Sequence, residues 1–166
     1  MLGKKRKKKD EESTSKGRQF VGFQIGGELY GIDIQSIQEI DRMHAVTRLP
    51  KTLPFIEGVI NLRRRIIPVI DMAKRFGLPA IEEGRRTRII IARLSGQTVG
   101  LIVENVSDVI PLDEESIEPA PAMAFAVDHK YVEGVGRVNE GLIILLNMDL
   151  LLSVEEMSQL QQHPLS

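Results

Sequence analysis

The chain has 166 residues, 42% hydrophobic and 27% charged, with three histidines and neither cysteine nor tryptophan. That length suits one domain able to hide roughly two thirds of its unfolded surface, and the missing thiols exclude disulfide frameworks, zinc–thiolate sites and cysteine nucleophiles. The net charge of −1 conceals an asymmetry: residues 1–18 hold eight of the 22 Lys and Arg against three acids, so the remaining body is mildly acidic and poorly suited to non-specific nucleic-acid binding.

In chain order, residues 1–18 (MLGKKRKKKDEESTSKGR) offer almost nothing apolar to bury and are expected to be a disordered basic tail. No apolar core of a secretory signal follows the charged start, and no run reaches the ~18 apolar residues of a membrane span. A soluble, cytoplasmic protein is expected, folded over residues 19–162. Phe20 to Ile25 reads as a strand, Gly26-Gly27 as a hairpin turn, and Glu28 to Asp33 as its partner strand. Ile34, Ile37 and Ile40 recur at helical spacing behind a potential N-cap, Asp33, which predicts a short helix carrying Glu39.

Pro54 to Asp71, PFIEGVINLRRRIIPVID, sets two β-branched runs on either side of Arg63-Arg64-Arg65. This pattern predicts a hairpin displaying charge, since three adjacent guanidinium groups cannot all be buried without partners. A helical turn over Met72 to Phe76 should end at Gly77 and Pro79. TRIIIARL (87–94) and TVGLIVE (98–104) flank the turn Ser95-Gly96-Gln97 as a second long hairpin, with Val106 to Ile110 extending that edge. Leu112 to Val127 reads as a connection. Tyr131 to Val138 and Gly141 to Asn147 form a third hairpin, and Ser153 with Glu156 makes a capping-box pattern that opens a final helix. Many short strands and little helix indicate an all-β fold with a few short helices.

The run GVINLR (58–63) followed by IIPVID (66–71) resembles the signature of the bacterial chemotaxis coupling proteins, the CheW family. FVGFQIGGELYGIDI, IQEI, VGLIVENVSDVI and IEPAP resemble its further landmarks in order, from about Gln19 to Leu160. The resemblance implies two small five-stranded β-barrels around a shared hydrophobic core. It also implies a non-enzymatic adaptor that couples chemoreceptors to a CheA-type histidine kinase in two-component signalling. The partners would be the kinase regulatory domain and the signalling tip of a methyl-accepting chemoreceptor, with recruitment to receptor arrays and no direct membrane contact. A parallel chemosensory pathway, for pilus motility or development, is the alternative.

By the same resemblance the receptor-binding groove takes Ile37, Glu39, Gly58, Arg63, Arg88 and Val109. Glu39 and Arg63 are predicted to approach within ion-pair range. Two residues depart from the family pattern: Arg64 stands where glycine is common, so a turn with positive φ would be strained, and Arg88 replaces an apolar residue at the groove rim. No cofactor or metal is expected, because the histidines lack ligand spacing and no nucleotide-binding or G-x-S-x-G motif occurs. Asp113, Glu114, Glu115 and Glu118 read as a solvated charge run. An enzyme would instead need a convergent polar pocket near Asp108 and Asp113, and a nucleic-acid binder would use the tail with Arg63 to Arg65.

Overall fold

A computed structural model describes residues 17–50, 53–121, 128–139 and 141–162. The expected basic tail, apart from its last two residues, lies outside the described residues. Ten strands form: β1 (Gly17–Ile25), β2 (Glu28–Asp33), β3 (Ile37–Arg42), β4 (Ile56–Leu62), β5 (Arg65–Asp71), β6 (Arg88–Leu94), β7 (Gln97–Val103), β8 (Asn105–Asp113), β9 (Val132–Val138) and β10 (Gly141–Leu146). Two short α-helices accompany them, α1 (Met72–Arg75) and α2 (Val154–Gln162). Strand β1 starts two residues before the expected boundary. Gly17 and Arg18 pair with Asp113 and Leu112 of β8, and Arg18 forms ion pairs with Asp33 and Glu133.

The strands make two five-stranded sheets, ordered β8-β1-β2-β10-β9 and β3-β6-β7-β5-β4. Each has one parallel pair, β2 with β10 or β5 with β7, between antiparallel neighbours, so both follow one plan. The apolar run of β6 shows why the sheets stack. Ile90 and Ala92 face a large core shared with Phe23, Ile25, Tyr30 and Ile32 of the first sheet, whereas Ile89 and Ile91 face a second core with Ile60, Leu62, Ile67 and Val69. A strand buried on both faces reads as continuous hydrophobic sequence. Phe20, Leu112, Ile143 and Leu145 form the corresponding small core of the first sheet.

The expected barrels are corrected to open sheets. Among the described residues no ladder joins β8 to β9 or β3 to β4. One antiparallel bridge spans each gap instead, Thr47 with Val59 and Glu118 with Val135, each through two backbone hydrogen bonds of 2.8–2.9 Å. Pro50 and Pro54 follow Thr47, and Pro119 and Pro121 follow Glu118. Without an N–H, none of them can extend a ladder.

The expected helix over Ile34 to Ile40 is also corrected. Only Ile34–Ser36 turns, as a 3-10 helix capped by Asp33, whose carboxylate accepts from Gln35 N at 2.9 Å. Ile37 onward is strand β3, paired with β6. The spacing of three suits a helix, and in the strand it leaves Ile40 exposed; pairing with the edge of β6 overrides it. Leu112 and Asp113, expected in a connection, complete β8. The capping box forms as read: Ser153 N donates to Glu156 Oε1 at 2.8 Å and Glu156 N to Ser153 Oγ at 3.1 Å.

Candidate interaction surface

The hairpin β4–β5 closes through Arg63 and Arg64, with φ of 48° and 69°, between the paired residues Leu62 and Arg65. Two central residues with positive φ are a type I′ turn, whose twist matches that of the strands it joins. Asn61 supports it by accepting from Arg64 N at 3.1 Å. The turn therefore keeps its positive φ even with arginine at the second position. From it Arg63 Nη2 reaches Glu39 Oε1 at 2.5 Å, on strand β3 rather than on a helix. The predicted pair forms. The hydrogen bond that Arg63 donates to Glu39 raises the Arg63 pKa further, leaving the guanidinium charged.

Strands β3 and β4 are opposite edges of the second sheet, yet the β4–β5 turn touches β3. Across flat strands ~4.8 Å apart an arginine side chain would fall short. The sheet must coil strongly, and the Thr47–Val59 bridge holds that coil at its seam. Gly58 makes the bridge possible. Its φ is +147°, and a Cβ there would stand 2.1 Å from Thr47 O. Its close backbone approach is thus to this chain's own residues 47 and 48.

The remaining expected residues disperse. Ile37 is half-buried against the shared core, which also takes Val106. Val109 is exposed on β8, an edge of the other sheet, opposite Val21 of β1. Arg88 lies at the far end of β6, opposite Arg42, and its Nη1 donates to Arg85 O at 2.7 Å and Thr87 O at 2.9 Å. Of the six, Glu39 and Arg63 are the pair brought into direct contact.

Thr98, Gln38 and Arg93, beside Arg65 at the Arg63 end, escaped the sequence reading. Arg65 Nη2 donates to Thr98 Oγ1 at 3.2 Å, Gln38 Nε2 donates to the same oxygen at 3.3 Å, and Arg93 stands opposite Thr98 in register. The sequence reading counted Gln97 in the turn, whereas Gln97 pairs with Leu94, and the two-residue turn Ser95-Gly96 sets Arg93 against Thr98. At the opposite end of β5, Asp71 is buried, caps α1 through Lys74 N at 3.1 Å and accepts from Ile81 N at 3.1 Å. Burial raises its carboxyl pKa, against the pull of those backbone donors. Asp108 and Asp113, the acids an enzyme would require, are both exposed on β8.

A profile described as the CheW-like domain matches residues 19–156. The chain belongs to the CheW-like family. Its CheW relatives include the chemotaxis protein CheW of Klebsiella aerogenes, 40% identical over 142 residues and covering 86% of each chain. The CheW of Rhizobium meliloti is 31% identical over 143 residues, covering 86% of this chain and 92% of that one. The crystal structure of the scaffolding protein TtCheW from Thermoanaerobacter tengcongensis superposes with a TM-score of 0.77 at 42% identity, covering 84% of this chain and 90% of that one. In this CheW-like chain no helix of the described residues is long and apolar enough to cross a membrane.

Proposed function

We propose that this protein is a non-enzymatic adaptor that couples chemoreceptors to a CheA-type histidine kinase in bacterial chemotaxis. The observation that carries it is the Glu39–Arg63 pair, held exposed on a type I′ turn within a CheW-like fold. Such a pair contributes little to folding because water screens it. Its value lies in presenting a fixed carboxylate and guanidinium beside the half-buried Ile37. Polar groups around an apolar contact suit the docking of an amphipathic receptor helix. Arg88 and Val109, which the family resemblance also assigns to the receptor surface, lie apart from this pair, at the far end of β6 and on β8 of the first sheet. That surface would therefore extend across both sheets, while Gly58 contributes by fixing the seam of the second.

The kinase regulatory domain is the second partner, and ATP and phosphotransfer belong to the kinase. The adaptor works by placement, favouring particular kinase conformations in a receptor array. The working domain takes in Gly17 and Arg18 of β1 and runs to residue 162, in the cytoplasm, with the basic residues 4–9 before it. The test is a pull-down of the purified chain with the kinase regulatory domain and a receptor signalling fragment from the same cell. Wild type should retain both, and Arg63→Ala and Ile37→Asp should lose the receptor while keeping the kinase. If folded wild type retains neither, the coupling role is rejected.

A further inference from the structure

Charge is not spread evenly over the second sheet. The parallel pair β5 and β7 starts at one end, where the β4–β5 and β6–β7 turns also lie. Arg63, Arg64, Arg65 and Arg93 gather there. Glu39 neutralises Arg63, but among the described residues no carboxylate lies within ion-pair distance of Arg64, Arg65 or Arg93. This concentration stands out on a body that is acidic overall.

The arrangement has the donors of an anion site. Arg93 of β6 pairs with Thr98 of β7, and from β5, the next strand, Arg65 reaches the same threonine through its side chain. The Thr98 oxygen accepts from both Arg65 and Gln38. A hydroxyl has two lone pairs and one proton, so with both pairs engaged the proton is left to donate outward. Two exposed guanidinium groups thus flank a hydroxyl donor. Guanidinium forks match carboxylates in shape as well as charge.

We propose that this end of the second sheet docks an acidic segment of a partner protein, with Arg65 and Arg93 clamping carboxylates on either side of Thr98. The proposal deepens the adaptor reading and rests on it, naming what the partner contributes. Size favours a protein. Three strands span about 10 Å, the width of one helix, on which carboxylates four residues apart lie about 6 Å from each other. A duplex or lipid surface would engage a broader basic face than this one.

The test titrates the full chain with octaglutamate and follows backbone amides by NMR. Saturable shifts should centre on Arg65, Arg93 and Thr98, and binding should weaken about tenfold as salt rises from about 50 to about 300 mM. Arg65→Glu with Arg93→Glu should weaken it at least about tenfold. Thr98→Val, which keeps every charge, should weaken it less, and Arg85→Glu, at the far end of β6, should not change it. Shifts confined to residues 1–16, equal shifts with inorganic phosphate, or tighter binding of anionic vesicles through the same residues would each overturn the proposal. Receptor fragment and kinase domain are then tested on the same variants. If both partners bind the double variant as tightly as wild type, the acidic clamp is wrong and the adaptor reading stands. If octaglutamate binds as expected but neither partner binds wild type, the adaptor reading fails and the anion site stands.

Discussion

Arg64 occupies a backbone position that side chains avoid. At φ 69° its Cβ crowds the neighbouring carbonyl, at a cost of about 1 kcal/mol. Arg64→Gly should therefore stabilise the fold by about 0.5–1 kcal/mol in denaturant titrations, part of the relief being offset by the greater freedom of glycine when unfolded. A loss of stability would mean that the arginine makes contacts outweighing its strain. The strain was legible through the family resemblance, which puts a glycine where Arg64 stands. The burial of Asp71 was not, since an acid ending a strand resembles any helix cap until Ile81 folds back onto it. Because burial raises its pKa in the native state, the stability this group contributes is complete below about pH 4 and is lost as pH climbs through the raised native value. Asp71→Asn removes that loss. The variant's melting temperature minus that of wild type should grow between about pH 4 and about pH 7, and a constant difference would refute the shift.

At the scale of elements, the two single-pair seams are the weak points of the sheets. Both rely on a glycine just before the bridging residue of the last strand: Gly58 before Val59, and Gly134 before Val135. A Cβ at Gly134 would meet Ile117 Cγ2 at 2.7 Å and Glu118 O at 2.9 Å, a milder clash than the 2.1 Å at Gly58, and without its unusual φ. Gly58→Ala should cost about 3 kcal/mol or more and Gly134→Ala about 1–2 kcal/mol, measured by chemical unfolding. Equal costs would show that the seam of the second sheet is no tighter than that of the first. The hairpins were readable from Gly26-Gly27 and Ser95-Gly96, because turn chemistry is local. Strand β3 was misread because its partner, β6, lies some fifty residues away and pairing overrode the spacing of three isoleucines. The seams were invisible for the same reason: nothing in the sequence around Thr47 names Val59.

At the scale of the whole molecule, ordered landmarks spread along the chain made the family legible, while the surface at the Arg63 end needed the register of separate hairpins to assemble. The two sheets also divide the chain unequally. The second is one continuous stretch from Ile37 to Val103, whereas the first is split, β1 and β2 preceding that stretch and β8, β9 and β10 following it. Its parallel pair joins Tyr30 to Ile144, almost the full length of the fold. On a ribosome, the inner sheet has all its strands before the outer one has half of its own. Until β10 emerges, Ile90, Leu101 and Val103 lack the full cover of the first sheet. Long-range pairings form slowly and leave apolar surface bare meanwhile. The nascent chain therefore passes through a stage in which its future interior is an adhesive exterior.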